Sequence, residues 1–214
     1  MPLDAPSIIT AATDLDERLG RQIEFILELD RLKTVMRRSR LVDASRYENT
    51  AEHSWHLAMM ALLLAEWAGP EVDVIEATKA VLVHDIVEID AGDIYIYDAA
   101  AREGKAAVEE EAADRLFGLL PADQGAELRR LWDLYEARDT PTGRFAYAID
   151  RLQPLLLNVG SGGVSWAHHG IRADQVRTIN SPIGDASTIL WDLAQRIIDE
   201  AVAAGALADP LPAE

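Results

Sequence analysis

Cysteine is absent from the sequence, which excludes disulfides, cysteine-ligated zinc or iron–sulfur centres and a thiol nucleophile. A chain without thiols is typical of a reducing compartment, so we expect a cytoplasmic protein. The N-terminal segment carries acids where a secretory signal carries basic residues. No run approaches the roughly 20 uncharged apolar residues of a membrane helix. The sequence therefore predicts no association with a membrane.

Positive charge is scarce, with 20 Lys and Arg against 37 Asp and Glu and a net charge of −17. A nucleic-acid backbone is held by cationic side chains that replace its counterions, so we expect no binding of DNA or RNA polymers. A small anionic ligand requires local positive groups or a metal that override the overall field. Apolar residues make up 49% of the chain, which is enough for one sizeable core.

Strand-like alternation is also absent, and the dominant apolar spacing is that of amphipathic helices. The sequence therefore predicts an all-α helical bundle with a single domain. The expected helices cover residues 16–36, 50–68, 74–90, 105–119, 122–137, 142–158 and 186–204. Asn49 and Glu52 form a capping-box pattern that starts the second helix. Pro154 is expected to kink the sixth helix or to end it early.

The remaining segments are interpreted as irregular. We expect a loose N-terminal arm, a domain with a core, a Gly-rich loop without clear period, and a frayed tail. These cover residues 1–14 (arm), 15–206 (domain), 32–158 (core), 160–184 (loop) and 207–214 (tail).

A His-Asp pair follows the apolar run AVLV, and Glu88 shares a helical face with both His84 and Asp85. Taken alone, such a pair is more often a core histidine beside a helix-end carboxylate. His53 in a first helical turn and Asp150 within FAYAIDRLQPLLL change that interpretation, because buried charges require a partner or a metal. Imidazole nitrogens and carboxylate oxygens together form a ligand set for a first-row transition metal.

The order His…His-Asp…Asp resembles the HD phosphohydrolase superfamily. The longer matches ENTAEHSWH, HDIVEIDAGD and AIDRLQPLLLN resemble its branch of bacterial 5′-deoxynucleotidases and their eukaryotic HD-domain-containing relatives. The resemblance implies a helical HD fold and one divalent metal, Mn, Co, Fe, Ni or Zn rather than Mg. The implied metal ligands are His53, His84, Asp85 and Asp150.

The same resemblance implies a reaction, the hydrolysis of deoxyribonucleoside 5′-monophosphates to deoxynucleoside and phosphate. Arg37 corresponds to the phosphate-contacting arginine, and Glu88 and Asp93 correspond to the two essential acids. Which of these acids donates and which accepts a proton is left open. Arg38 stands where the best-known bacterial enzymes carry an aromatic residue, so Arg38 is a candidate substrate contact beside Arg37 and Asp93. A nucleotide with additional phosphates, or another phosphorylated metabolite, is the alternative substrate.

Two other classes of function were compared with this prediction. A di-iron oxygenase, or a binuclear phosphodiesterase, needs further histidines, and residues 86–149 contain none. A non-catalytic ligand-binding module has little need of both Glu88 and Asp93. His56 is expected in the core or behind the ligands, and His168 and His169 are expected either to cover the site or to bind nothing. Tryptophan-rich helix faces and the resemblance favour a homodimer that binds a small nucleotide.

Overall fold

The computed structural model describes residues 4–98 and 103–209, and within them the fold is helical and forms one domain, as predicted. The helices are α1 (Ala5–Leu15), α2 (Glu17–Leu29), α3 (Thr50–Leu63), α4 (Val74–Val83), α5 (Glu88–Ala91), α6 (Lys105–Phe117), α7 (Ala122–Ala137), α8 (Pro141–Gly160), α9 (Val164–His169), α10 (Ala173–Asn180), α11 (Ile183–Ala186) and α12 (Thr188–Ala203). Short 3-10 turns cover Asp30–Thr34 and Ala65–Trp67. None of the described helices combines the length and apolar character needed to cross a bilayer.

Helix α8 is the centre of the molecule and packs against α3, α4, α7, α11 and α12. Its fully buried Phe145, Ile149 and Leu152 belong to the larger core cluster, together with Leu57 of α3. Burying each such side chain stabilises the fold by about 1.5–3 kcal/mol. A second cluster joins α2, α6 and α7 and includes Trp132. Polar residues on α8 are therefore held in a rigid setting.

Helix α3 starts as predicted. The Asn49 side chain accepts a hydrogen bond from the backbone of Glu52, and the Glu52 carboxylate accepts one from the backbone of Asn49. This capping box satisfies two otherwise unpaired donors. It fixes the first turn of α3, which carries His53.

The predicted helix 74–90 is broken. Helix α4 ends at Val83, and residues 84–87 form tight turns before α5 begins at Glu88. The backbone bonds there run three residues back, as from Glu88 to Asp85. Since these residues lie at helix ends and turns, the four-residue spacing of a regular helix does not describe His84 and Glu88.

A two-stranded antiparallel sheet corrects the prediction that the chain has no strands. Strand β1 (Met36–Arg40) pairs with β2 (Tyr47–Asn49), and the register is irregular between Met36 and Arg40. The predicted helix 16–36 accordingly ends at Leu29. The sequence does not reveal the two strands because they are short and because β1, Met-Arg-Arg-Ser-Arg, has no alternation of apolar residues.

The expected loose arm is also wrong in its described part, which forms α1. The Asp4 side chain caps α1 by accepting from the backbone of Ser7, and the helix packs on α2. Contact is close at Gly20, where an added Cβ would lie 2.1 Å from the Thr13 hydroxyl oxygen. Ala12 is the only buried residue of α1, so this helix adds little to the core.

The Gly-rich segment 160–184 is not an irregular loop but contains α9, α10 and α11. Helices of four to eight residues are too short to show a helical period. The described part of the tail is likewise ordered, since Leu207 is buried and Ala208 pairs with Arg172. Residues 210–214 lie outside the described residues.

The expected early end of the sixth helix at Pro154 is wrong. Helix α8 continues to Gly160, although proline removes one backbone donor from the helix. The buried Leu152 and Leu155 hold both sides of Pro154 in the core. Helices α6 and α7 agree with the prediction to within two residues.

Candidate metal and active site

Three predicted ligands from distant parts of the chain converge in the interior. His53 lies in α3, His84 follows α4, and Asp150 lies in the middle of α8. Their ligand atoms all lie within 4.8 Å of one another, and all three residues are buried. His53 Nε2 is 2.9 Å from Asp150 Oδ1, and His84 Nε2 is 3.8 Å from the same oxygen.

The hydrogen bonds of both imidazoles fix which nitrogen carries the proton. His53 Nδ1 lies 3.1 Å from Gln153 Oε1, and His84 Nδ1 lies 2.9 Å from the carbonyl oxygen of Val81. Because carbonyl oxygens only accept, each Nδ1 donates and each Nε2 faces the carboxylates of the cluster. His84 Nε2 is buried and lies 3.0 Å from Asp85 Oδ1. A proton or a metal ion must lie between such a nitrogen and a carboxylate oxygen, and this donor set fits a divalent metal.

Asp85 lies at the edge of this cluster. Its Oδ1 is 3.0 Å from His84 Nε2, and its Oδ2 is 3.8 Å from His53 Nε2. The structure thus brings all four predicted ligands together, with Asp85 outside the tightest group and shared with Arg37. Burial raises the pKa of Asp85, but His84 and Arg37 outweigh burial and hold this pKa below its ordinary value.

The cluster favours a positive charge at its centre. Burial lowers the pKa of His84, but Asp85 and Asp150 overcome it and raise the pKa to about 10. Burial raises the pKa of Asp150, and Arg151 and the histidines hold it well below its usual range. Either a proton or a metal ion can supply the positive charge that the carboxylates stabilise.

Arg37 of β1 reaches the cluster from the sheet. Its Nη1 donates to Asp85 Oδ2 at 3.0 Å and lies 3.5 Å from Asp93 Oδ1. The buried Nε has no hydrogen-bond partner, so the guanidinium has donors to spare. Arg38 is exposed and lines the same cavity. The irregular register of β1 explains how two adjacent residues can face one cavity.

Both predicted acids lie beside Arg37. Glu88 is 4% exposed and accepts a hydrogen bond from the Thr50 hydroxyl at 2.9 Å. Burial, followed by the charge of Asp85, raises the pKa of Glu88 well above its ordinary value. Burial also raises the pKa of Asp93, which follows Gly92 at φ +73°. Carboxyl groups with raised pKa values are suited to proton transfer near neutral pH.

Several supporting residues were not predicted from the sequence. The Tyr135 hydroxyl donates to Asp150 Oδ2 at 2.6 Å, and Arg151 donates to the same oxygen. Gln153 Nε2 donates to the buried Glu48 at 2.7 Å, which orients Gln153 Oε1 toward His53. Since Gln153 is about 100 residues from His53 in the chain, no local pattern reveals this contact.

The other three histidines do not belong to the cluster of predicted ligands. His56 Nδ1 is 3.2 Å from Gln153 Nε2, behind His53. The His169 ring lies 4.7 Å from the ring of Tyr95 and 4.7 Å from that of His168. Tyr95 lines the cavity, so His169 lies directly behind a residue of its wall.

One cavity connects the cluster with the outer residues. At its inner end lie Arg37, Asp85, Glu88, Asp93 and Asp150. From there it extends along α8 toward α9 and α10, where it is lined by the residues Leu155, Asn158, Trp166, Ile179 and Asn180.

The sequence is similar to those of known proteins. The family model described as HD domain matches residues 29–191. The chain is similar to the 5′-deoxynucleotidase HDDC2 of Bos taurus, with 30% identity over 63% of this chain, and it spans 64% of that protein's length. It is 29% identical to the human protein of the same name, over 69% of this chain and 72% of that protein.

Solved structures with a similar fold are also known. A predicted metal-dependent phosphohydrolase from Magnetospirillum magnetotacticum MS-1 has 50% sequence identity and a TM-score of 0.86, over 89% of this chain and 96% of that chain. An HD-domain phosphohydrolase from Listeria innocua has 19% identity and a TM-score of 0.56, over 84% of this chain and 89% of that chain, which supports the fold alone. Since the family model covers most of the sequence and includes the His53, His84, Asp85 and Asp150 positions, the chain belongs to the HD domain family.

Proposed function

We propose that the protein is a metal-dependent phosphomonoesterase that hydrolyses small nucleotides, with deoxyribonucleoside 5′-monophosphates as the preferred substrates. One observation carries the proposal. The buried Nε2 of His84 faces Asp85 and Asp150, and these two carboxylates line one cavity with a buried arginine and with two carboxyl groups of raised pKa. The likeness to proteins named 5′-deoxynucleotidase supports the choice of substrate.

In this proposal His53, His84, Asp85 and Asp150 hold one divalent ion, Mn, Co, Fe, Ni or Zn. Such an ion supplies Lewis-acid polarisation of a phosphoryl group and an activated water. Gln153 and the carbonyl of Val81 keep both imidazoles in the tautomer that offers Nε2. Tyr135 and Arg151 hold the second oxygen of Asp150, which leaves Oδ1 directed at the histidines.

Arg37 is assigned to the phosphate. A guanidinium binds two oxygens of a phosphate through parallel N–H donors and stabilises the charge that grows in the transition state. Asp85 and Asp93 orient Arg37 through Nη1, and the Nε faces the buried Glu48 at 3.8 Å without a hydrogen bond. Arg38, at the more exposed side of the cavity, is assigned to the sugar or to a further anionic group.

Glu88 and Asp93 are assigned to the proton transfers. A carboxyl group that is still protonated near neutral pH can donate to the leaving 5′-oxygen, and its ionised partner can accept a proton from the attacking water. Direct attack by water fits a chain that has no cysteine nucleophile. The division of the two roles between Glu88 and Asp93 is left open.

The test is phosphate release from chelated protein to which Mn, Co, Fe, Ni, Zn or Mg is returned singly. Deoxyribonucleoside and ribonucleoside 5′-monophosphates are compared. We expect turnover to return with a transition metal and to be fastest with deoxymonophosphates. An Asp85→Asn variant provides the control, since it should lose both metal and turnover. No turnover of any nucleotide with any metal would overturn the proposal.

Arg38 favours a second candidate substrate, a nucleotide with more than one phosphate. Three arginines, Arg37, Arg38 and Arg151, line one cavity of a chain whose net charge is −17. The same assay with nucleoside triphosphates distinguishes the two. If triphosphates are turned over in preference to monophosphates, and Arg38→Ala abolishes that preference, the substrate is reassigned.

We also propose that the protein is a homodimer. Trp132 is buried in the core, so it does not support this idea. Trp55, Met59 and Leu63 support it better, because they follow at four-residue steps on α3 and are 64%, 39% and 68% exposed. Light scattering on a sizing column should give twice the chain mass, and Trp55→Glu should halve it. A monomeric wild-type protein would contradict the proposal.

A further inference from the structure

The outer half of the cavity follows one face of α8. Arg151, Leu155 and Asn158 are four and three residues apart, so their side chains share a face. From Asp150 to Asn158 the helix rises about 12 Å at 1.5 Å per residue. This distance is comparable to the reach of a nucleotide from its 5′-phosphate to the far edge of its base. A phosphate at the metal end therefore brings the base to the level of Asn158.

Asn158 offers an unused hydrogen-bond acceptor at this level. The residue is 8% exposed, and its Nδ2 donates to the carbonyl oxygen of Pro154 at 2.8 Å. Because a carbonyl oxygen only accepts, this bond fixes the orientation of the amide group. Asn158 Oδ1 points away from that bond, is buried, and has no hydrogen-bond partner. A buried acceptor without a partner is unfavourable until a ligand supplies a donor.

The walls beside Asn158 are apolar. Leu155 and Trp166 are 2% and 1% exposed, and both line the cavity with the half-buried Ile179. Small-molecule sites are mostly apolar and contain a few polar groups that fix orientation. Apolar walls beside a buried, unpaired acceptor suit a flat heterocycle that carries an N–H group.

We propose that Leu155, Trp166, Ile179 and Asn158 form a nucleobase subsite, in which Asn158 Oδ1 accepts a hydrogen bond from a base N–H. This inference rests on the proposed nucleotidase function. Each common base carries an N–H donor on its pairing edge, so the subsite recognises that a base is present rather than which base it is. A phosphorylated sugar without a base leaves the subsite unused.

The test compares three substrates with the metal-loaded protein. They are deoxyadenosine 5′-monophosphate, its analogue with hydrogen in place of the 6-amino group, and 2-deoxyribose 5-phosphate. We expect the wild type to prefer the amino compound over the analogue by about tenfold in kcat/KM, as one hydrogen bond allows. Asn158→Leu, of similar volume, should reduce that preference to about one. Its kcat/KM for 2-deoxyribose 5-phosphate should not change.

Asn158→Leu also removes the hydrogen bond to the carbonyl oxygen of Pro154, which could disturb the site as a whole. The substrate without a base is therefore the internal control, because a structural disturbance would reduce its turnover as well. Asn158→Ala repeats the comparison if Asn158→Leu does not fold. An amino preference that persists in the variants would overturn the subsite. An equal loss on 2-deoxyribose 5-phosphate would also overturn it, because the role of Asn158 would then be structural or directed at the sugar. A wild type inactive on all three substrates with every metal would contradict the proposed function itself, and the subsite with it.

Discussion

Among single residues, the neighbouring charges distinguish the acids of the cavity by their expected roles. Asp85 and Asp150 face imidazoles and guanidinium groups that lower their pKa values, whereas Glu88 and Asp93 have raised pKa values. Groups of the first kind are suited to binding a cation, and groups of the second kind to moving a proton. The local environment thus divides four nearby carboxyl groups into two pairs.

Replacement of Glu88 by Gln should abolish turnover without loss of metal. The amide keeps the size of the side chain and can still accept from Thr50, but it cannot transfer a proton. We expect kcat to fall by at least about a hundredfold. Metal content is measured by elemental analysis of the same sample. Glu111→Gln, on the exposed side of α6, is the matched control and should retain full activity. A fully active Glu88→Gln protein would refute the role assigned to Glu88.

Replacement of Gln153 by Leu should weaken metal binding. Gln153 Oε1 accepts from His53 Nδ1 at 3.1 Å and so holds the imidazole with Nε2 toward the cluster. Loss of such an orienting partner typically reduces metal affinity by about 10- to 100-fold. Competition with a chelator measures the change. Gln153→Glu retains the acceptor for His53 but loses the donor to Glu48, so comparing the two variants separates these contacts, and wild-type metal affinity in Gln153→Leu would contradict the orienting role.

Residue types and their order were sufficient to predict that His53, His84, Asp85 and Asp150 would meet. Buried acids and histidines within apolar segments are unfavourable without partners, and the sequence shows this directly. The contact of Gln153 with His53 joins residues about 100 positions apart and could not be predicted. Asn158 was also missed, since its unpaired oxygen is visible only once its partners are known.

Among the helices and strands, the glycines before α9 offer a matched pair. Gly162 and Gly163 have φ values of +74° and +73°. An added Cβ at Gly163 would lie 1.9 Å from the carbonyl oxygen of Ala206, whereas at Gly162 it would meet nothing within 4 Å. Gly162→Ala should therefore lower the free energy of unfolding by about 1–2 kcal/mol, which is the strain of a left-handed backbone conformation. Gly163→Ala should cost more, because the C-terminal turn must move.

Denaturant unfolding measures this difference in the free energy of unfolding. The background strain is common to both variants, so the excess cost of Gly163→Ala reports the contact between the start of α9 and the turn after α12. Equal losses in the two variants would show that this contact contributes nothing to stability.

Long helices with clear periods were predicted well, as α6 and α7 show. Elements that depend on tertiary contacts were not. Strand β1 has an arginine-rich sequence and forms because β2 and α8 lie beside it. Helix α8 passes through Pro154, where packing outweighs the lost hydrogen bond. Helices α9 to α11 are shorter than a period can reveal.

For the whole molecule, metal binding should raise thermal stability. An ion that binds only the folded protein adds about 2.7 kcal/mol at a hundred times its Kd. For a chain of this size that corresponds to a rise in Tm of about 5 °C or more. Scanning calorimetry with and without Mn measures the shift. Glu88→Gln should retain the shift and Asp85→Asn should lose most of it. An Asp85→Asn protein with the wild-type shift would remove Asp85 from the ligand set.

The arginines of the cavity belong to a molecule with a net charge of −17, and this affects how quickly a substrate arrives. The exposed charges of this acidic surface repel a nucleotide that comes within about one Debye length, roughly 8 Å at physiological ionic strength, and they are largely screened beyond it. Arg37 acts only after the substrate has entered. Added monovalent salt screens the repulsion, so kcat/KM should rise with ionic strength, the opposite of an enzyme that attracts its substrate electrostatically. Steady-state rates at increasing sodium chloride would measure this, and a falling kcat/KM would show that the arginines govern the approach.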